Sequence, residues 1–230
     1  MDVILIPGFW LNGDSWGPVT ERLRAAGHTP HPVTLPGMES VAADRTGITL
    51  RDNVDAVIAI VDSLEPGVVL VGHSGGGAVA HGVADARPDA LARVVYVDSV
   101  PLGEGDSIND ELPTVDGEIP LPDWDVFEEA DLVDLTDELR AHFRSIAIPI
   151  PARVASDMQE LSDPRRYDVP VTVICCEFPA EQLSGWIARG VPFVAELAEV
   201  KDRTLVDLTT GHWPQLTKPT ELADAVLAAL

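Results

Sequence analysis

The sequence predicts a single α/β domain, residues 1–230, built on a mostly parallel, six-stranded β-sheet with helices on both faces. Short β-branched runs alternate with longer segments whose apolar residues recur at helical spacing, an order typical of parallel strands joined by crossover helices. The run 68–71 is apolar at every position, which indicates a strand buried on both faces. A chain of 230 residues can enclose one well-buried core, so its length does not require a second domain.

The predicted helices are bounded by residues that ordinarily begin or end helices. Gly27 occupies a C-cap position, Pro66 and Gly67 close the second helix, Pro88 closes the third, and Pro219 lies near the first turn of the last. The predicted strands are 3–6, 29–35, 68–71, 94–98, 169–176 and 204–208, and the predicted helices are 15–26, 50–64, 78–86 and 221–230.

Residues 102–164 interrupt this alternation and are predicted to form a lid inserted into the domain. Between Leu102 and Arg140 the chain carries fourteen acidic residues and one basic residue, and apolar residues at helical spacing return only over 126–146. Long excursions inside compact domains are usually functional or mobile. We therefore interpret the segment as a small lid between two strands of the sheet.

The composition is that of a globular protein with a strong negative charge. A net charge of −23 and a pI near 4.3 repel phosphate, which argues against nucleic-acid or anionic-membrane partners. No stretch of the sequence approaches the length of a membrane span, and the N-terminal apolar run lacks the basic segment of a signal peptide. The adjacent Cys175 and Cys176 do not form a metal-binding pattern. We expect a cytoplasmic monomer or homodimer that acts on a small molecule without a cofactor or metal.

The segment Gly72-His73-Ser74-Gly75-Gly76 is the strongest functional signal. It matches the pattern G-x-S-x-G and stands between a predicted buried strand and a predicted helix. A sharp strand-to-helix turn strains its middle residue and requires small neighbours, and glycine fills both flanks. Such a turn directs the Ser74 hydroxyl to the carboxyl edge of the sheet, where sites in parallel sheets lie. Ser74 is therefore the predicted nucleophile.

His212 is the predicted base for that nucleophile. A serine hydroxyl needs a base at neutral pH, and His212 follows the last predicted strand in a loop before the terminal helix. Acyl transfer also requires N–H donors for the negative charge that develops on the attacked carbonyl oxygen. The backbone N–H groups of Gly75 and Phe9 are the predicted donors, with Gly8 permitting close approach of the backbone.

Four segments together resemble the α/β-hydrolase fold superfamily, in particular compact bacterial members similar to the methylesterases and hydroxynitrile lyases. The segments are 6–10, 71–76, 95–101 and 211–214, which span the chain apart from the lid. The resemblance implies an α/β-hydrolase fold, a Ser-His-acid triad, no cofactor and small ester or cyanohydrin substrates. Two features depart from the family: Pro7 replaces the histidine that usually precedes the oxyanion-loop glycine, and the sheet begins at the family's third strand.

The acid of the triad is open between two residues. The family usually places an Asp a few residues after the penultimate strand, where this chain has Phe178 or Pro179. Asp98 ends the strand after the Ser74 turn, a position from which some lipases and dehalogenases supply the acid, and it is our first candidate. Glu177 lies one residue before the usual site, and its additional methylene can extend its reach. It is the alternative.

Aromatic residues flank the predicted catalytic groups. Phe9, Trp10 and Trp213 are predicted to border the substrate, whereas Phe127 and Phe143 are predicted to pack in a core of the lid's own. Apolar walls with few polar anchors suit an uncharged acyl or alcohol group. The leading hypothesis is a serine hydrolase that cleaves a small, largely uncharged carboxylic ester or lactone through an acyl-enzyme intermediate. The alternatives are a C–C lyase of hydroxynitrile-lyase type and a non-catalytic ligand-binding relative.

Overall fold

A computed structural model describes all residues, 1–230, and its centre is a sheet of six parallel strands. The strands are β1 (Asp2–Ile6), β2 (Thr29–Pro32), β3 (Val68–His73), β4 (Leu91–Val97), β5 (Glu118–Ile119), β6 (Ile150–Pro151), β7 (Val171–Cys175) and β8 (Arg203–Asp207). The central sheet has the order β2-β1-β3-β4-β7-β8, so the predicted six-stranded parallel sheet is confirmed. The two short strands β5 and β6 pair antiparallel outside it.

Nine α-helices accompany the strands. The helices are α1 (Gly17–Ala25), α2 (Leu50–Val61), α3 (Gly75–Ala86), α4 (Asp137–Ile146), α5 (Ala152–Ser156), α6 (Ala180–Ala188), α7 (Ala195–Glu199), α8 (Pro214–Thr217) and α9 (Pro219–Ala229). Helices α1 and α9 pack together on one face of the sheet, and α2 and α3 pack together on the other. None of them combines the length and the apolar character needed to cross a membrane.

Alternate residues of each central strand enter the two cores on opposite faces of the sheet. In β1, Val3 and Leu5 join the core beneath α1 and α9, whereas Ile4 and Ile6 join the core beneath α2 and α3. All four side chains are fully buried. A strand covered on both faces must be apolar at every position, which explains the unbroken apolar run in β3.

Helix α3 begins at Gly75, three residues before the predicted start. Three consecutive glycines lower the helix propensity of this segment, so the sequence favours a later start. In the structure glycine is needed because there is no room for a side chain: a Cβ at Gly76 would lie 2.5 Å from the carbonyl oxygen of Pro7. Helices α6 and α7 were not predicted; α7 has only five residues, too few to display a helical period.

The insertion predicted over 102–164 lies between β4 and β7 and contains β5, β6, α4 and α5. Its main helix, α4, is shorter than the helical pattern over 126–146, since Asp134 has a positive φ of 63° and Thr136 caps the helix through its hydroxyl. The Leu139 N–H donates that capping hydrogen bond. The first residues of the insertion, 102–108, lie beside Ser74, so the segment forms part of the wall of the candidate site.

Candidate active site

Ser74 stands in the sharp turn between β3 and α3. Its φ of 51° and ψ of −126° are unusual for a residue other than glycine. A Cβ at Gly72 would lie 2.5 Å from the carbonyl oxygen of Gly76, and one at Gly76 would lie 2.5 Å from that of Pro7. Glycine is therefore required on both sides of Ser74, because the end of β3, the start of α3 and the end of β1 meet there.

His212 lies in the loop between β8 and α8, and its Nε2 is 2.8 Å from the Ser74 Oγ. Two backbone contacts fix this loop: the His73 Nε2–H donates to the His212 carbonyl oxygen at 2.6 Å, and the His212 N–H donates to the carbonyl oxygen of Asp131 at 2.9 Å. Asp131 belongs to the insertion. Gly211 has no room for a Cβ against the insertion backbone, so this position also requires glycine.

Both candidate acids lie at the His212 ring. The His212 Nδ1 is 2.7 Å from the Asp98 Oδ2 and 2.5 Å from the Glu177 Oε1. The second carboxylate oxygen of Asp98 accepts hydrogen bonds from the N–H groups of Cys176 and Glu177, at 2.9 and 3.1 Å. Because carboxylates face Nδ1, that nitrogen carries the ring proton and Nε2 is left to accept one from Ser74.

The three titratable groups shift one another's proton affinity. Burial opposes ionisation of Asp98, but the hydrogen bond and charge of His212 and the hydrogen bonds from Glu177 together outweigh it and lower the pKa of the Asp98 carboxyl. Burial raises the pKa of Glu177 to about 7, and the neighbouring Asp98 adds to that effect. Burial works against a charged His212 ring, yet its contacts with Asp98 and Glu177 prevail and raise its pKa.

The loop after β1 approaches Ser74 closely, as expected for a loop that supplies an N–H donor. A Cβ at Gly8 would lie 2.8 Å from the Ser74 Cβ and 2.7 Å from the His73 Nδ1. The backbone N–H of the next residue, Phe9, donates to no backbone carbonyl. The Phe9 ring covers Gly75, since a Cβ there would lie 2.6 Å from it.

Trp10 and Trp213, which are predicted to border the substrate, lie in the core. Trp10 is 5% exposed, its indole N–H donates to the Ile119 carbonyl oxygen, and Trp213 is 2% exposed. Both pack edge-on against Phe127, at 5.8 and 5.2 Å between ring centroids. Phe127 and Phe143 therefore do not form a separate lid core. They bind the insertion to the main domain, because large aromatic rings bury most area where two layers meet.

A cavity of about 790 Å³ opens beside Ser74 and His212. Its walls come from three parts of the chain: the turn after β4, the first residues of the insertion, and the segment 192–196 around the start of α7. The wall is more polar than the aromatic pocket expected from the sequence. The carboxylates of Asp98, Glu104, Asp106 and Glu196 line it, and no Lys or Arg does.

The His212 ring and the two carboxylates at its Nδ1 form the one candidate cation site. Ligand atoms of Asp98, Glu177 and His212 lie within 4.8 Å of one another. These atoms already contact each other, and a metal at Nδ1 would displace the ring proton that faces Asp98. The cluster is therefore organised around a proton on the ring.

A buried ionic network behind the cavity was missed by the sequence reading. The Arg166 guanidinium pairs with Asp85 at 3.1 Å and with Glu196 at 3.0 Å. His81 lies between Glu196 and the Tyr96 hydroxyl, at 3.0 Å from each. The polar positions inside the apolar helix α3 were the available signal, but their partners lie as far as 115 residues away.

This fold and this arrangement of Ser, His and carboxylates define an α/β-hydrolase. Residues 3–225 match the family model described as the Alpha/beta hydrolase family. The chain is 33% identical over 251 aligned positions, covering 98% of each chain, to the carbendazim hydrolyzing esterase of Nocardioides sp. (strain SG-4G). The chain belongs to the α/β-hydrolase family and is an enzyme of that family, as its sequence predicted.

Other relatives support the same assignment. Lipase LipV of Mycobacterium tuberculosis is 40% identical over 77 residues, which cover 33% of this chain and 28% of the lipase. An extracellular α/β-hydrolase from a Paenibacillus species superimposes with a TM-score of 0.78 at 20% identity, covering 100% of this chain and 98% of the other. A methylesterase from Arabidopsis superimposes with a TM-score of 0.74 at 19% identity, over 100% and 98% of the two chains. The fold is therefore shared with the methylesterases.

Proposed function

We propose that this enzyme hydrolyses a small, largely uncharged carboxylic ester or lactone through an acyl-enzyme formed on Ser74. The observation that carries the proposal is the 2.8 Å contact between the Ser74 Oγ and the His212 Nε2, the ring nitrogen on the side away from the two carboxylates. His212 takes the hydroxyl proton as Ser74 attacks the carbonyl carbon, and later returns it to the leaving alkoxide. Water then attacks the acyl-enzyme by the same route and releases the acid.

The remaining groups have distinct parts in this reaction. Asp98 holds the Nδ1 proton of His212 and stabilises the imidazolium that forms. The backbone N–H groups of Phe9 and Gly75 stabilise the oxyanion, and each such donor typically contributes about 3–4 kcal/mol to the transition state. The close approach of Gly8 to Ser74 supports the assignment of Phe9.

The cavity supports an uncharged substrate. A volume of about 790 Å³ suits a small organic molecule. Four carboxylates on its wall, with no Lys or Arg among the lining residues, repel an anionic acid or phosphate ester. The closeness in sequence to an esterase supports ester chemistry, and carbendazim, named in that relative, is a reasonable candidate substrate alongside simple esters.

No specific observation favours the lyase alternative. A lyase of hydroxynitrile type usually places a Lys near the site, and the nearest candidate in sequence, Lys218, pairs with Asp134 at 3.5 Å and does not line the cavity. The feature that favours the ligand-binding alternative is the absence of an Asp at the position where the family usually has the triad acid. Two carboxylates at His212 remove that reason.

The proposal predicts that Ser74 alone reacts with a fluorophosphonate probe and that Ser74→Ala lowers kcat by roughly 10⁴- to 10⁶-fold. Turnover is measured with p-nitrophenyl esters from acetate to octanoate and with carbendazim, and the labelled residue is found by mass spectrometry. Ser99→Ala is the matched control, because Ser99 lines the same cavity outside the turn. Labelling of the Ser74→Ala variant, or cleavage of a cyanohydrin with no ester turnover, would refute the proposal.

A further inference from the structure

Two carboxylates converge on one nitrogen of the His212 ring, although a ring nitrogen has a single proton to donate. Asp98 receives it at 2.7 Å, and Glu177 contacts the same nitrogen at 2.5 Å. An isolated acid would suffice to orient the ring. The second carboxylate therefore requires an explanation of its own.

The two acids are held in different ways. The Asp98 side chain is fully buried, and its other oxygen is fixed by the N–H groups of Cys176 and Glu177. The Glu177 side chain is 19% exposed and is bonded to no backbone group. Glu177 can therefore exchange protons with solvent while Asp98 stays in place.

Ligand atoms of Asp98 and Glu177 lie within 4.8 Å of each other, and two ionised carboxylates this close are costly in a buried site. One of the two carboxyls therefore holds a proton unless the His212 ring is charged. Burial and Asp98 raise the pKa of Glu177, which identifies it as the carboxyl that holds the proton. The cluster of Asp98, Glu177 and His212 thus carries one proton that either Glu177 or His212 can hold. His212 is neutral and able to act as a base when that proton lies on Glu177 or, at higher pH, has left the cluster.

Asp98 and Glu177 are the groups that raise the pKa of His212, and the other titratable groups around the cluster are neutral or bonded elsewhere. Burial lowers the pKa of His73 to about 3, so its ring is neutral, and burial raises the pKa of the Cys176 thiol. The carboxylates of Asp131 and Asp207 accept hydrogen bonds from backbone N–H groups of their own surroundings. The protonation of His212 is therefore governed by Asp98 and Glu177.

We propose that Glu177 is a second acid partner of His212, which positions the ring together with Asp98 and sets the pH at which His212 becomes neutral. When Asp98 is lost, Glu177 accepts the hydrogen bond from the His212 Nδ1–H in its place. The proposal rests on the proposed function, in which His212 is the base. Ionised Glu177 stabilises the imidazolium and keeps the ring protonated to higher pH. A neutral residue at this position leaves only Asp98 to do so.

The test measures kcat/KM against pH from 5 to 10 with p-nitrophenyl butyrate. Glu177→Gln is expected to move the acid limb of the profile to lower pH by one unit or more. Glu181→Gln is the matched control, because it removes the same charge from an exposed position on the neighbouring helix and should leave the limb in place. An acid limb that does not move in Glu177→Gln overturns the proposal.

Loss of Asp98 tests the exchange of roles. In Asp98→Asn the amide oxygen can still accept hydrogen bonds from the two backbone N–H groups, and Glu177, freed from its charged neighbour, can accept the hydrogen bond from the His212 Nδ1–H. We expect this variant to lose about 10- to 100-fold in kcat/KM, less than the roughly 10⁴-fold loss typical of a triad without its acid. The double variant Asp98→Asn/Glu177→Gln should lose at least a further 100-fold. Equal activities of the single and double variants contradict the proposal.

Nuclear magnetic resonance of the His212 ring separates this inference from the proposed function. The pKa of the ring should fall in Glu177→Gln and stay unchanged in Glu181→Gln, whether or not the enzyme cleaves any ester. A fall in the ring pKa without ester turnover by the unmodified enzyme supports the acid pair and refutes the proposed function. An unchanged ring pKa in Glu177→Gln overturns the acid pair even if ester turnover is observed.

Discussion

Backbone strain at single residues shapes the candidate site. Ser74, Asp98 and Trp10 all have positive φ, at 51°, 45° and 63°, although none is glycine. Such conformations cost of order 1–3 kcal/mol each and persist only where the surroundings impose them. Here the surroundings are parallel strand ends packed so closely that glycine is the sole residue that fits at neighbouring positions. The strain at Ser74 turns its hydroxyl out of the sheet toward His212.

Gly76→Ala should destabilise the protein by about 1–3 kcal/mol, since its Cβ would collide with the carbonyl oxygens of Ile6 and Pro7 and force α3 away from β1. Gly17→Ala is the control, because a Cβ in the first turn of α1 meets no atom within 4 Å and should stabilise by about 0.4–1 kcal/mol. Urea unfolding followed by circular dichroism measures both. Equal stabilities of the two variants would contradict the close packing of α3 against the end of β1.

At the scale of elements, the ionic network behind the cavity joins three parts of the chain. Asp85 lies on α3, Glu196 on α7, and Arg166 in the short 3₁₀ helix before β7. Its charges are almost fully buried, so each depends on its partner for compensation. Glu196 also lines the cavity, which means that the network fixes one wall of the candidate site.

Arg166→Met is expected to cost about 3–5 kcal/mol of unfolding free energy, because it leaves Asp85 and Glu196 buried without a counter-charge. Its neighbour provides the control: Arg165 is 56% exposed and pairs with Asp89 and Asp163, so Arg165→Met should cost about 0–1 kcal/mol. Chemical denaturation of the two variants under the same conditions makes the comparison. A cost for Arg165→Met as large as that for Arg166→Met would show that the network has no special weight.

At the scale of the whole molecule, the net charge of −23 and the shifted pKa values of Glu177 and Glu196 determine how stability depends on pH. The two carboxyls change stability in opposite directions as the pH rises. Glu196, despite its burial, has a pKa lowered to about 2 by His81 and Arg166. Because its unfolded value is higher, near 4.5, its contribution to stability is lost as the pH falls from about 4.5 toward 2. Glu177 behaves oppositely: its folded pKa of about 7 exceeds the unfolded value of 4.5, so its contribution is lost as the pH rises between them.

These signs predict that stability is greatest at about pH 5. Above about pH 5, repulsion among the many carboxylates grows and the contribution of Glu177 to stability disappears. Below about pH 4, the carboxylates held by buried partners must be protonated and the fold loses their contribution. The measurement is the free energy of unfolding in urea from pH 3 to 9 at constant ionic strength. A maximum at pH 8, or undiminished stability at pH 3, would be inconsistent with this balance.

The features that the sequence determined by itself are local ones. Apolar periodicity gives the strands and major helices, the glycines around Ser74 give the turn, and the position of His212 after the last strand follows from chain order. Each of these depends on residues a few positions apart, so their patterns are visible in one stretch of sequence. The family followed from the same segments.

Only the tertiary structure decided what depends on distant residues. It brings Asp98 to His212, 114 residues along the chain, and it also brings Glu177 there. Both candidate acids therefore contact the His212 ring. The tertiary structure buries Trp10 and Trp213 against the insertion, and it builds a cavity wall from the segment 192–196, which carried no sequence signal. The physical reason is that such contacts depend on how separate elements pack, and packing is set by shape and space among many side chains rather than by any local pattern.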